Sequence, residues 1–119
     1  MTTQTPTIPL AEGERYIGGI VSADGITTHI ILLPGSTKAP WKKAMSWAAE
    51  IGGDLPNRVE QALLFATAKD EFEEFAYWSN TEDSSESGWA WYQNFCYGHQ
   101  YSDFQTSGLR ARAVRRLII

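Results

Sequence analysis

Trp41-Lys42-Lys43-Ala44-Met45-Ser46-Trp47-Ala48-Ala49-Glu50-Ile51-Gly52-Gly53-Asp54-Leu55-Pro56-Asn57-Arg58-Val59-Glu60-Gln61 is the stretch that decides how this chain is organised. Trp41, Ala44, Met45, Ala48 and Ile51 recur at the i, i+3, i+4 spacing of one helix face, which predicts a first helix of about three turns. Gly52-Gly53 supplies a left-handed stop after it. Pro56 disfavours helix at Leu55, and Asn57 with Glu60 three residues on forms a capping box, each side chain accepting from the other's backbone N–H. A second helix therefore begins at Asn57, with Val59, Ala62, Leu63 and Ala66 as its expected buried stripe.

Upstream, the pattern is that of strands. Tyr16-Ile17-Gly18-Gly19-Ile20-Val21 and Thr27-Thr28-His29-Ile30-Ile31-Leu32-Leu33 flank Asp24-Gly25, a hairpin signal whose type I′ turn needs positive φ at both central residues. Residues 1–15, rich in Thr and Pro at their start, read as an extended and loosely held lead-in to a single domain over residues 16–119. Downstream, Asp70-Glu71-Phe72-Glu73-Glu74 reads as a solvated acidic turn. Phe75 to Ser79, Trp89 to Phe95 and Leu109 to Leu117 read as strands joined by polar loops. All five prolines lie at or before Pro56, so none keeps the C-terminal third out of a sheet. The expected architecture is α+β: an N-terminal β-hairpin, two helices, then a mainly antiparallel sheet with the helices on one side.

Composition narrows the function classes. The 119 residues are 43% hydrophobic and 20% charged, enough for one core without staples. A net charge of -4 argues against a sequence-independent nucleic-acid binder. Cys96 is the one cysteine, so no internal disulfide framework is possible. Met1 to Leu10 lacks a basic n-region and an apolar h-region, and no apolar run is long enough to span a bilayer; neither a secretory leader nor a membrane partner is expected. Ten of the fifteen aromatic residues fall between Phe75 and Phe104, among Asn, Ser, Asp, Gln and Gly and without a single Lys or Arg. Tyr and Trp give stiff, amphipathic contact area at low rotamer cost, and Ser, Asn and Gly add adaptable polar contacts, the mixture of a recognition surface.

The opening stretch resembles the "W..A..W....GG.LPTR.E" pattern of a C-type-lectin-like superfamily that includes the formylglycine-generating enzymes and the small Lcl C-terminal-like domains of bacteria and their phages. The second group is the closer match. Its "YWSST" strand stands here as Tyr77-Trp78-Ser79-Asn80-Thr81, its "AW...F..G" strand as Ala90-Trp91-Tyr92-Gln93-Asn94-Phe95 with Gly98, and its closing "R.RAVRR" as Arg110-Ala111-Arg112-Ala113-Val114-Arg115-Arg116. The resemblance covers about Trp41 to Leu117 and implies a C-type-lectin-like fold. Asn57 replaces the usual Thr and keeps an N-cap; Asn80 replaces a Ser. Trp41, Trp78 and Trp91 are expected in the core. Arg110 and Arg112, two residues apart on one strand face, are expected to pin helix to sheet, with Glu60 as candidate partner for either; an anion site is the other reading.

Chemistry is mostly excluded. The two histidines, His29 and His99, have no Cys or carboxylate at ligand spacing, so no metal or other cofactor is expected. The Glu-Pro-Asn, Gln-Pro-Asp and Trp-Asn-Asp motifs of sugar-binding C-type lectins do not occur, and Glu82, Asp83 and Glu86 read as a solvated loop rather than a cation site. Formylglycine-generating enzymes use a pair of active-site cysteines and this chain has one; Cys96 with His99 would lack an orienting third group. No catalytic residue is assigned.

Binding remains. The loops 81–88 and 96–108 present Ser84, Ser85, Tyr97, His99, Tyr101, Ser102, Asp103 and Phe104 as candidate ligand-binding residues. In the superfamily that the chain resembles this face binds ligands. In some members it is diversified by adenine-directed mutagenesis, whose product residues match Cys96 to His99 and Tyr101 to Phe104. The first expectation is a non-enzymatic binding module of phage or prophage type for a protein or glycan partner, located in the bacterial cytoplasm or on a virion. The second is an intracellular phage accessory protein that docks on a host complex through the acidic patches Asp70 to Glu74 and Glu82 to Glu86.

Overall fold

A computed structural model describes residues 7–119. The elements run β1 (Arg15–Val21), β2 (Thr27–Leu32), β3 (Thr37–Ala39), α1 (Trp41–Glu50), α2 (Arg58–Thr67), a 3-10 turn at Lys69–Glu71, β4 (Ala76–Glu82), β5 (Trp89–Asn94), β6 (Gln100–Phe104), β7 (Leu109–Ala111) and β8 (Val114–Ile118). The class is α+β as expected, but the strands form two sheets rather than one. The first has the order β1-β2-β8 and the second β3-β7-β4-β5-β6, antiparallel throughout except where β4 meets β7. The stretch read as one strand from Leu109 to Leu117 is broken at Arg112-Ala113, where the chain leaves one sheet and enters the other.

The hairpin forms at the expected place with a different turn. Gly25 N–H donates to Ser22 O, Ser22 N–H donates to Ile26 O, and Gly25 alone adopts positive φ, at 83°. Asp24 stays at negative φ and accepts from the Ser22 hydroxyl and from Ile26 N–H. The five-residue connection needs one left-handed residue where a type I′ turn needs two. The lead-in is firmer than expected within residues 7–15: Arg115 donates to Pro9 O at 2.7 Å and to the Glu14 carboxylate at 2.9 and 3.0 Å, and Arg15 already belongs to β1. Residues 1–6 of that expectation lie outside the described residues.

Helix α1 buries Trp41, Ala44 and Ala48, with Met45 partly covered, and ends at Ile51 before Gly52 at φ +87°. Ile51 itself is exposed. Trp41 Nε1–H donates to Ser79 O at 2.8 Å and Trp78 Nε1–H to Ala39 O at 2.9 Å, so both buried indoles fasten the α1 region to β4 while meeting their own hydrogen-bond demand. Neighbouring residues of β4 face different helices: Trp78 packs with Trp41, Ala44 and Ala48, and Tyr77 with Leu64 and Ala68. The helices therefore meet opposite faces of β4, not one side of a sheet.

Helix α2 starts with the expected capping box, Glu60 N–H to Asn57 Oδ1 and Asn57 N–H to Glu60 Oε1, both at 2.8 Å. Its buried face is turned by one residue from the expected stripe. Glu60, Gln61 and Leu64 are inside, followed by Ala68, whereas Val59, Ala62 and Ala66 are exposed and Leu63 is half-buried. The cause is polar: Gln61 Nε2–H donates to Tyr77 O at 2.9 Å, and Glu60 receives Arg116 Nε–H at 2.6 Å and an Arg116 terminal N–H at 2.7 Å. Glu60 therefore pairs with neither Arg110 nor Arg112. Arg110 pairs with Glu73 at 2.8 Å, and buried Arg112 donates to Leu33 O and Glu71 O while lying 3.6 Å from the Glu71 carboxylate. Arg110 and Arg112 thus tie the acidic turn, not α1 or α2, to the second sheet's end, and the contact that pins α2 to a strand is made by Arg116.

Gly53 precedes Asp54, which bridges to Val114 of β8 through two backbone hydrogen bonds of 2.8 and 2.9 Å. A Cβ placed on Gly53 would lie 2.5 Å from Val114 O and 2.7 Å from Leu33 Cδ1, and both neighbours are buried. Gly53→Ala is predicted to cost about 1–3 kcal/mol by overpacking, read from urea unfolding. Gly108→Ala, whose Cβ would meet nothing within 4 Å, is predicted to stay within about 0.5 kcal/mol of the parent.

Candidate functional site

The aromatic-rich third divides between scaffold and surface. Trp78 and Phe95 are fully buried, and Phe95 stacks on Phe72 with ring centroids 3.9 Å apart and planes 6° from parallel. Phe72 of the acidic turn is thus packed against the core, and the turn is more than a solvated loop. Trp91 departs from expectation: it is half-buried, with the Arg58 guanidinium carbon 3.7 Å from its ring centroid in place of core contacts on that face.

The segment after β5 is a tight, heavily bonded turn. Asn94 Oδ1 accepts from Cys96 N–H at 2.8 Å and Tyr97 N–H at 2.9 Å, and Gly98 N–H donates to Asn94 O. Gln93 Nε2–H donates to Gly98 O at 2.8 Å. Gly98 sits at φ +89°, with Phe65 so close that a Cβ would lie 2.7 Å from its ring. Only glycine fits there. This turn holds Tyr97 out into solvent at 81% exposure.

Within the span read as a loop from Cys96 to Gly108, Gln100–Phe104 is strand β6, one of the two edge strands of the five-stranded sheet. Its pairing with β5, Tyr101 opposite Tyr92 and Ser102 opposite Trp91, splits the candidate residues between two faces. On one face stand His99, Tyr101 and Asp103. The Tyr97 and His99 rings are 6.4 Å apart and nearly parallel, and His99 and Tyr101 are 4.8 Å apart, giving a continuous row whose outer members are 81% and 60% exposed. Behind the row, burial pushes the Tyr92 phenol up, with the charge of Asp103 and then Tyr101 adding to the shift. On the other face are Ser102 and Phe104, and Phe104 packs on Trp89 at 4.5 Å. Eight candidates therefore reduce to one contiguous group, Tyr97, His99 and Tyr101, with Asp103 alongside.

Ser85 and Ser102 have structural partners. The buried Asp83 carboxylate accepts Ser102 Oγ–H at 2.6 Å, Ser85 Oγ–H at 2.8 Å and Ser85 N–H at 3.0 Å, which ties the 83–88 loop to β6. Ser84, between Asp83 and Ser85, is exposed. Asp103 Oδ1 accepts from Phe104 N–H at 2.7 Å, closing one edge amide of β6. Cys96 and His99 do not form a pair: the Cys96 thiol faces Glu74 at 3.9 Å, and the His99 ring lies between two tyrosines. Among the described residues no three His, Cys, Asp or Glu side chains gather as a metal site, and no helix is long and apolar enough to cross a membrane. A scan against models of known protein families finds no match for the chain, and a search of curated proteins finds none.

The Ser102 hydroxyl, followed by Ser85, holds the Asp83 carboxyl below its ordinary value of 3.8. A carboxyl depressed by folding stabilises the fold fully above its unfolded value, and that contribution disappears as pH falls through the lower folded value. The 83–88 loop is thus predicted to stay anchored at neutral pH and to lose amide protection only below about pH 4. In Ser102→Ala the Asp83 titration followed by carbon NMR should move up toward the ordinary value; no movement would assign the depression elsewhere.

Proposed function

We propose that the chain is a non-enzymatic binding module that recognises a protein or glycan through the row Tyr97, His99 and Tyr101 at one sheet edge. The observation behind this reading is a run of large aromatic rings kept in solvent by a turn with several internal hydrogen bonds. Exposed apolar rings on a pre-ordered backbone lower the entropy lost on association. The row suits stacking on a sugar face or packing against an apolar protein patch.

The C-type-lectin-like assignment belongs to the same proposal. Supporting it are the hairpin, the two helices, the motif order from Trp41 to Arg116, and a first sheet that joins β1 and β2 to β8. The phage or prophage character, with a site of action in the bacterial host or on the virion, rests on the motif resemblance alone. The acidic-docking alternative has less support. Asp70, Glu71 and Glu73 are engaged by Arg15, Arg112 and Arg110, and Asp83 is held inside its loop.

The test is a double variant, Tyr97→Ala with Tyr101→Ala. Both side chains are more than half exposed, so the melting temperature should move by only a few degrees. Capture of a discrete partner from host lysate, or signal on a glycan array, should fall by at least about tenfold, in keeping with loss of central aromatic anchors. Undiminished capture and array signal in the double variant would overturn the reading.

A further inference from the structure

Six arginines stand in the sequence, and five are matched to carboxylates: Arg15 to Asp70, Arg110 to Glu73, Arg112 to Glu71, Arg115 to Glu14, and Arg116 to Glu60 and Asp54. Arg58 has no carboxylate partner among the described residues. Its side chain is nevertheless fixed. The guanidinium carbon stands 3.7 Å from the Trp91 ring centroid, Nε–H donates to Gln100 Oε1 at 2.9 Å, and Gln100 Nε2–H returns to Arg58 O at 2.7 Å and to Gln93 Oε1 at 3.0 Å. Both terminal guanidinium nitrogens remain without a hydrogen-bond partner among the described residues. A planar fork held on two sides with its outer edge free is prepared for bidentate contact with a carboxylate.

Arg58 also lines an open groove of about 550 Å³ between α2 and the turn after β5. Its floor is apolar, from Val59, Ala62, Phe65 and Gly98, and Arg58 is the single charged residue in its lining. Val59 is 64% exposed, an uncovered β-branched side chain on the outer face of α2. A single positive charge in the lining suits one monovalent anion, whereas a phosphate dianion would call for a second positive group.

We propose that this groove binds the free carboxy terminus of a partner polypeptide whose last side chain is apolar. The carboxylate pairs with the outer edge of Arg58 and the side chain lies on Val59, Ala62 and Phe65. A chain terminus fits because its carboxylate and its side chain share one Cα, so the charge reaches the fork while apolar atoms cover the adjacent floor. A Glu or Asp side chain would instead lay its own polar backbone across that floor, at a desolvation cost. The groove lies on the Gln93 and Gln100 face of the β5–β6 pair and the Tyr97, His99 and Tyr101 row on the Tyr92 face, so the two sites share only the turn at Gly98.

The experiment is a titration of ¹⁵N-labelled protein with N-acetylated alanyl-alanyl-leucine bearing a free carboxy terminus. Saturable shifts are expected at Arg58 Nε–H, the Trp91 indole N–H and the Val59 and Gly98 amides. The carboxamide of the same peptide should bind at least about tenfold more weakly, as should the free acid to Arg58→Gln. Arg58→Lys should recover only part of the affinity, because an ammonium lacks the fork. Lys69→Ala, which removes a cation that lies over Phe65 but outside the groove lining, should leave affinity within about twofold. No saturable shift up to about 20 mM peptide would overturn the proposal. Equal binding of acid and carboxamide, or equal binding of an end-blocked peptide with an internal Glu, would do the same. Because acid and carboxamide are compared on the unaltered protein, the result does not hinge on how the Arg58 variants fold. The Tyr97→Ala, Tyr101→Ala double variant should bind the peptide normally, so failure here and failure of the aromatic row are told apart.

Discussion

Glu60 is the point through which the two halves of the chain are joined. One of its oxygens accepts both the Asn57 amide of the capping box and an Arg116 N–H, and the other accepts Arg116 Nε–H. Arg116 extends the contact to Asp54 at 2.8 Å and to Leu55 O. The start of α2, the connection before it and the last strand are thus held by one half-buried charge group whose lone pairs and N–H groups are used on several sides. Such a knot repays the desolvation of its charges only when the geometry is good, and burial of a fully partnered carboxylate at the third residue of a helix also suits the helix dipole. Because Glu60 must face β8, the whole of α2 is rotated so that Val59 and Ala62 point outward and Arg58 reaches over Trp91. The exposed groove is a by-product of where that one ion pair has to sit.

How much of this was legible in the sequence varies with the kind of force involved. Helix limits were readable because they depend on local chemistry: Pro56 and Asn57 at a start, Gly52 at a stop. The buried face of α2 was not, since apolar periodicity ranks Glu60 and Gln61 as outward residues and cannot know that Arg116 and Tyr77 O, far along the chain, wait for them. Strand β6 was hidden for a related reason. Gln100-Tyr101-Ser102-Asp103-Phe104 is a polar edge strand, and polar edge residues with a charge among them carry a loop-like composition while limiting edge-to-edge association. β3, three residues long, has too little sequence for any period.

The candidate site was half legible. Aromatic rings scattered among small polar residues correctly marked exposed positions at Tyr97 and Tyr101. The pleat of β6, which sends Tyr101 and Phe104 to opposite faces, could not be applied before β6 itself was known. Ser85 and Ser102 looked like adaptable surface hydroxyls and are instead donors to Asp83, a partnership across the sheet that composition does not encode. Arg58 was invisible for a different reason: its freedom exists only by subtraction, once every other arginine has its carboxylate.

The break at Arg112-Ala113 bears on how the chain reaches its native state. Residues Leu109 to Ile118 supply one strand to each sheet, and β8 pairs with β2 from the opposite end of the described chain. Neither sheet can be completed from earlier segments alone, so loop closure over most of the sequence must precede the final pairing, a topology that folds slowly. On a ribosome adding about 5–20 residues per second, the aromatic third emerges before β7 and β8, which follow it in the chain. Acidic residues precede this segment at Asp70 to Glu74 and lie within it at Glu82 to Glu86, and no Lys or Arg stands between Phe75 and Phe104. Until Arg110 and Arg112 are made, Glu73 lacks its partner and Glu71 one of its two, so the unfinished segment carries charge of a single sign.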